Sequence, residues 1–191
     1  MRIKKMYIWA VVYVLVTYLN PVFLWLLTPK GELSDSNSIM KLVVFLPWVI
    51  FFIIPIILLM ISILIAVLYR NEERKAFLAA TRIMKYSLIP YFIAGGILIV
   101  IFSLMPAAFP LGIIISVPMV IALSVMGWVS MVGSAPFMVL YLMKSATING
   151  SAFSIFMMIM QVFFGLDVLA TIICGIKEIA RKLKTRNKTE L

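Results

Sequence analysis

The sequence predicts an all-α fold, a polytopic transmembrane helical bundle, and three observations carry that prediction. Of the 191 residues, 64% are hydrophobic, whereas a soluble domain is closer to half apolar. The mean hydropathy is +1.16. The few charged residues are clustered between apolar runs, and about 20 apolar residues suffice for one helical crossing. Because hydrocarbon offers the backbone no hydrogen bonds, segments that cross it must be helical.

The first two apolar segments cover residues 6–28 and 39–69. Pro21 follows Asn20 inside the first segment, and it favours a kink or an early end because proline removes a helical hydrogen bond. The polar stretch between the segments, 28–38, is predicted to be a loop. The second segment exceeds one perpendicular crossing, so we expect it to tilt or bend.

A basic stretch, 71–86, precedes the third apolar segment, 87–105. Apolar residues recur in it at helical spacing, beside the bases Arg74, Lys75, Arg82 and Lys85. This pattern is typical of a short interfacial helix that lies on anionic headgroups and leads into the next span. The alternative interpretation is a docking surface for an acidic partner.

The rest of the chain contains two more apolar segments, 111–143 and 152–176, and a basic tail, 177–191. The fourth segment is too long for one straight crossing, and the stretch "GSAP" (133–136) predicts a break in it. We predict one integral membrane domain over 1–191, with about five long helical segments.

The distribution of positive charge predicts the topology but conflicts with five crossings. The first five residues carry three bases, the stretch 70–86 carries five, and the tail carries six. Positive charge marks the cytoplasmic side, so both termini are expected there. Five crossings would put the tail outside. We expect the segment 111–143 to enter and return, as two short spans or a re-entrant hairpin. The number of full crossings stays open: four plus a re-entrant segment, five, or six.

Asp167 is the acidic residue inside an apolar run, and it lies in the predicted last span. A carboxylate is costly at membrane depth, so we expect it to face protein or water and to be protonated or hydrogen-bonded. Thr171 shares its helix face. Upstream, Gly127, Ser130 and Ser134 form a face of small residues. We expect the two faces to pack together, with the serine hydroxyls hydrogen-bonded to Asp167.

Two roles for Asp167 follow from this position. The first is polar contact between helices, and the second is a proton or cation site in a small transporter or channel. An Asp167→Asn substitution is expected to be tolerated in the first case and to remove activity or its pH dependence in the second. Gln161 is six residues away, which puts it on a different face of a continuous helix.

The residue inventory excludes most catalytic chemistry. There is no histidine and one cysteine, Cys174, so we predict no catalytic residues, no metal site and no cofactor. The net charge of +10 lies at segment edges, which indicates anionic lipid headgroups and not nucleic acid. A lipid-modifying enzyme would need convergent acids, and the adjacent pair Glu72-Glu73 does not converge on one helix face.

We therefore expect an accessory or structural component of a cell membrane that packs with a membrane-protein partner or with a second copy. The alternative is a transporter or channel component that uses Asp167. No motif identifies a characterised family. In general character the chain resembles uncharacterised bacterial inner-membrane proteins, which implies a multi-pass protein of the plasma membrane.

Overall fold

The computed structural model describes residues 2–28, 38–108, 112–163 and 165–189, and over these ranges it is all-helical. The helices are α1 (Arg2–Leu27), α2 (Ser38–Leu68), α3 (Arg74–Ala108), α4 (Gly112–Val132), α5 (Ala135–Asn149), α6 (Ser151–Met160) and α7 (Leu166–Thr189). By length and composition, four stretches of the described chain are apolar enough to cross a membrane: Lys4–Leu27, Leu46–Leu68, Arg74–Leu104 and Gly112–Ile148.

The first two helices pair as an antiparallel hairpin. The indole Nε1 of Trp9 donates to Ser62 Oγ at 3.1 Å, and Asn20 Nδ2 donates to the Phe51 carbonyl at 3.0 Å. Residue numbers rise along α1 as they fall along α2, so the helices run in opposite directions. The helix α1 continues through Pro21 and does not end early. Most of the predicted loop 28–38 lies outside the described residues.

The predicted interfacial helix is not a separate element. Residues 74–86 and the third apolar segment form the single helix α3. It begins at Arg74, a short turn after α2 ends at Leu68. No glycine or proline lies between Arg74 and Leu88, so the backbone has no reason to break there. The stretch also faces protein, because Phe77, Ala80 and Met84 are core residues.

The predicted break in the fourth segment is present, but the chain does not turn back at it. Helix α4 ends at Val132 and α5 starts at Ala135, with Pro136 in its first turn. The Tyr13 hydroxyl donates to the Ser130 carbonyl at 2.6 Å, which satisfies a group near the break. Helix α5 then continues to the start of α3, where Lys144 donates to the Glu72 carbonyl.

The prediction of one last span over 152–176 is wrong, because this segment is a helical hairpin. Helix α6 ends at Met160, α7 begins at Leu166, and Gly165 between them has a φ of 81°. The Lys177 ammonium lies 3.8 Å from the centre of the Phe153 ring, so the later part of α7 returns to the start of α6. The hairpin therefore enters and leaves at one end of the bundle.

We call this end the basic end: α1, α3 and α6 begin there, and α2, α5 and α7 end there. It contains the bases at the start of α1 and α3 and those at the end of α7. The core lies between α1, α3 and α5, and its largest fully buried apolar side chains are Tyr13, Tyr141, Phe77, Phe137, Met6, Met84, Leu88, Met138 and Leu142.

Candidate functional site: a buried ion pair at the tip of the hairpin

Asp167 lies in the first turn of α7 and forms an ion pair with Lys85 of α3. Its Oδ2 is 3.0 Å from Lys85 Nζ, and the two side chains are 1% and 3% exposed. The pair is thus formed almost entirely out of contact with solvent. Lys85 also donates to the Asp167 backbone carbonyl at 3.1 Å, so it holds both the side chain and the first turn of α7.

Gln161 completes the coordination of Lys85. Its Oε1 accepts a hydrogen bond from Lys85 Nζ, and its Nε2 donates to the Met157 carbonyl at 3.4 Å. The turn between α6 and α7 makes this arrangement possible, because it carries Gln161 and Asp167 to the same point on α3. The expectation that Gln161 faces away from Asp167 assumed a continuous helix and is wrong.

Thr171 lies on the face of Asp167, as its spacing predicts, but it does not bind the carboxyl group. Its Oγ1 donates to the Asp167 backbone carbonyl at 2.8 Å. This is the local i to i−4 bond that threonine commonly makes within a helix. Thr171 therefore supports the first turn of α7 and leaves the carboxylate to Lys85.

The serine–aspartate hydrogen bonds expected from the sequence are not formed among the described residues. Ser134 Oγ donates to the Met131 carbonyl at 3.1 Å. The Ser130 carbonyl accepts a hydrogen bond from the Tyr13 hydroxyl. Helix α7 packs on α3 and α6, whereas α4 packs mainly on α3 and α2. A Cβ at Gly133 would collide with the Tyr13 ring, so this end of the α4 small-residue face is occupied by α1.

Lys85 is the residue that sequence reasoning missed at this site. It was interpreted as a headgroup contact because it lies among the bases of 71–86. The signal was a spacing: Arg74 and Lys85 are eleven residues apart on α3, as are Asp167 and Glu178 on α7. Eleven residues make about three helical turns, so two antiparallel helices can match both pairs at once.

The second matched pair forms a more open cluster at the basic end. Glu178 Oε1 is 3.5 Å from Arg74 Nη2, and its Oε2 is 3.2 Å from Arg181 Nη1. The Tyr141 hydroxyl of α5 also donates to Oε2, at 3.5 Å. The two clusters fix the register of α7 along α3.

Two apolar openings adjoin these helices. A cleft of about 230 Å³ is lined by Asp167, Gly165, Met131 and three side chains of α3. Within the described chain, Asp167 Oδ1 accepts no hydrogen bond. A larger groove, of about 590 Å³, lies between α3 and α4 and is bordered by α1 and α2.

The site chemistry is that of a neutralised buried pair. The side-chain partner of Asp167 is the Lys85 ammonium and not the serine hydroxyls that the sequence analysis expected. Across the described ranges, no group of three or more histidine, cysteine, aspartate or glutamate side chains is arranged to hold a metal ion.

A family model matches the chain over residues 3–181, and its description is "Family of unknown function (DUF6652)". No curated protein and no solved structure matches the chain.

Proposed function

Since the chain belongs to this family of unknown function, DUF6652, over nearly its whole length, we propose a function from its geometry. The protein is a multi-pass membrane protein that serves as an accessory or structural component and binds a transmembrane helix in the groove between α3 and α4. It has no catalytic role, no cofactor and no nucleic-acid partner, and its basic end contacts anionic headgroups on the cytoplasmic side.

The proposed topology has four crossings and one re-entrant hairpin. The crossings are α1, α2, α3 and the combined α4–α5. Helix α6 has ten residues, so it is about 15 Å long, half the thickness of a hydrocarbon core. Four crossings return the chain to its starting side, and the hairpin leaves it there. The three basic stretches then share the cytoplasmic side, which removes the conflict in the charge distribution.

Cysteine labelling from each side of the membrane tests this topology. Single cysteines at Ser36, Thr147 and Thr189 are made in a Cys174→Ala background. We expect Thr147 and Thr189 to label from the cytoplasmic side and Ser36 from the other. Labelling of Thr147 and Thr189 from opposite sides would overturn the hairpin, because it would make 152–176 a full crossing.

The groove between α3 and α4 is the observation that carries the accessory role. Its walls include Gly95, Gly96 and Gly127, and a Cβ at any of these positions would meet no atom within 4 Å. Small residues at a helix surface let a second backbone approach closely, which is the usual basis of helix association in lipid. The open walls are suited to a transmembrane helix from a partner or from a second copy.

Photo-crosslinking in native membranes tests the groove. A photoreactive residue is placed at Gly96, inside the groove, or at the control position Ile97, which is 56% exposed and outside it. We expect a protein adduct of defined mass from Gly96 only, and its loss when Gly127→Phe fills the groove. An adduct of twice the chain mass identifies a second copy of the protein. An adduct of any other mass identifies a different membrane protein as the partner. Lipid adducts alone at both positions would refute the role.

A small transporter or channel component is the second candidate, and the hairpin tip favours it. Non-helical backbone at membrane depth lies either within protein or beside a wet cavity. Here it adjoins a cleft lined by Asp167, whose Oδ1 has no donor among the described residues. A proton or small cation that entered this cleft would compete with Lys85 for the carboxylate.

Flux measurements separate the two candidates. Purified protein in liposomes is tested for proton and monovalent cation flux between pH 5 and 8, with Lys85→Met as the variant that frees the carboxylate. If the protein transports protons or cations, the wild type should show flux, and the flux should change in Lys85→Met. Vesicles that stay inert at every pH would exclude this second candidate and leave the pair a structural contact.

A further inference from the structure

The last part of α7 continues past the start of α3. Glu178 contacts Arg74, the first residue of α3, and the two helices run in opposite directions. Helix α7 does not end at this contact but continues to Thr189. At about 1.5 Å per residue, the segment after Glu178 reaches about 16 Å beyond the start of α3. We call residues 179–189 the α7 extension.

One face of α7 is apolar and exposed along both the hairpin and the extension. The side chains of this face are between 37% and 63% exposed, and they are Ile172, Ile176, Ile179 and Leu183. Because they follow one another at i, i+4, i+7 and i+11, they form a single stripe along the helix. Glu178 lies on the other side of the helix and faces α3. The stripe therefore leaves the hairpin on the side away from α3.

The extension combines its part of the stripe with a high density of positive charge. Five of its eleven residues are basic, and none is acidic. At about 100° per residue, Lys184 lies on one side of the stripe and Lys182 on the other. Both of these side chains are exposed. An apolar stripe between bases is typical of a helix that lies at the surface of an anionic membrane.

We propose that the α7 extension is an interfacial anchor that binds an anionic membrane surface. Ile179 and Leu183 insert between the headgroups, and the ammonium groups of Lys182 and Lys184 bind lipid phosphates beside them. The stretch 71–86 does not take this role, because its apolar side chains pack in the core. The inference rests on the proposed membrane location and identifies the part of the basic end that holds the headgroups.

Continuity with the hairpin favours lipid over an acidic protein as the occupant of this surface. In the proposed topology, Ile172 and Ile176 face hydrocarbon, because they lie on the exposed side of the re-entrant hairpin. Ile179 and Leu183 prolong the same stripe without a break, so they leave the hydrocarbon already directed towards lipid. An acidic protein would have to displace lipid from one end of this continuous surface.

Spin-label accessibility in vesicles tests the anchor. The full-length protein carries one cysteine, Leu183→Cys, Lys182→Cys or Ile172→Cys, in a Cys174→Ala background. Each labelled protein is reconstituted into vesicles of phosphatidylcholine alone or with an equal amount of phosphatidylglycerol. Collision with oxygen reports a label in lipid, and collision with a water-soluble nickel chelate reports a label in water.

The three labels are expected to respond differently to lipid charge. The Leu183→Cys label should lie in lipid when phosphatidylglycerol is present and move towards water in phosphatidylcholine alone. The Ile172→Cys label should lie in lipid in both vesicles, because the hairpin does not depend on headgroup charge. The Lys182→Cys label, on the charged side of the extension, should remain in water in both.

Paired charge variants test whether the bases of the extension act specifically. Lys182→Gln with Lys184→Gln, in the Leu183→Cys chain, should lower the ratio of lipid-bound to water-exposed label about 25-fold, since each base near an anionic surface contributes about fivefold. Lys4→Gln with Lys5→Gln removes the same charge from exposed positions at the start of α1 and is the control. The control should leave the ratio unchanged, and an equal effect would replace the anchor by a diffuse positive surface.

The other outcomes overturn the anchor. A Leu183→Cys label that stays in water with phosphatidylglycerol is not anchored, and one that meets neither reagent is covered by a second copy or a partner protein. A label that lies in lipid in both vesicles is not held by the bases. In these three cases the proposed function stands. Water access to the Ile172→Cys label would instead overturn the membrane position of the hairpin, and the anchor with it.

Discussion

Helices α3 and α7 meet at two charged clusters that have the same spacing but differ in how far water reaches their cations. In the inner cluster, Lys85 and Asp167 are almost fully buried, and Gln161 completes the coordination. In the outer cluster, Glu178, which is 8% exposed, lies between Arg74 and Arg181, whose side chains are 20% and 26% exposed. The two clusters lie eleven residues apart on both helices, so they differ in environment far more than in geometry.

The comparison shows which of the two clusters determines the register of α7 along α3. The two arginines of the outer cluster keep some contact with water, which weakens their dependence on the buried Glu178 carboxylate. The inner charges are almost fully buried, so any shift of α7 along α3 would leave a buried charge without its partner. The inner cluster therefore determines the position of the hairpin tip, and the outer cluster adds to a register already set.

Breaking the inner pair is expected to produce the largest effect. Lys85→Met or Asp167→Leu alone should destabilise the fold by about 3 to 5 kcal/mol, because each leaves one buried charge without its partner. The double variant removes both charges and should recover most of that loss. Unfolding of the purified protein in mixed micelles measures the double-mutant cycle. Single variants that each cost less than about 1 kcal/mol would contradict a tightly paired inner cluster.

The ion pair also changes what Asp167→Asn is expected to do. From the sequence, a structural Asp167 was expected to tolerate asparagine. With Lys85 beside it, asparagine leaves the ammonium unpaired, so destabilisation is expected even if nothing is transported. Only the double variant removes the charge without leaving its partner behind.

Gln161 gives an intermediate effect and tests whether the turn depends on the inner cluster. Gln161→Leu removes the acceptor for Lys85, with an expected loss of about 1 to 3 kcal/mol, the cost of leaving a buried donor without its acceptor. Ser154→Ala is the matched control on α6, since Ser154 is also buried but its hydroxyl has no partner in the described chain. The control should change unfolding little. Equal losses in both variants would mean that the bond to Lys85 contributes nothing specific.

What the sequence predicts well in this molecule depends on local properties. Composition predicts the helices α1 and α2 close to their observed bounds, because each helix coincides with one long apolar run. The break between α4 and α5 was predicted for the same reason, since Gly133 and Pro136 act on their own backbone. The unusual position of Asp167 was also visible, because one acidic residue interrupts an otherwise apolar run.

What the sequence did not predict depends on contacts between distant segments. The turn between α6 and α7 has one glycine and no proline, so its apolar pattern is that of a continuous helix. Lys85 is surrounded in sequence by residues typical of a headgroup contact, and only the pairing of α3 with α7 buries it. The predicted seam of Asp167 with Ser130 and Ser134 failed similarly, because small residues indicate close packing but not which helix packs there.

The outer cluster should give the smallest effect and the clearest dependence on salt. Glu178→Gln removes the charge that Arg74 and Arg181 share and keeps an acceptor for the Tyr141 hydroxyl, and water still reaches both arginines, so a loss of about 1 kcal/mol is expected. Raising the salt concentration from about 0.15 M to about 1 M shortens the screening length from about 8 to about 3 Å, which should remove most of the difference from the wild type. The difference in unfolding free energy between Lys85→Met and the wild type should persist in the same salt series, because buried charges are screened much less. If salt removed both differences, the inner cluster would have to be open to water, and the contrast between the two clusters would fail.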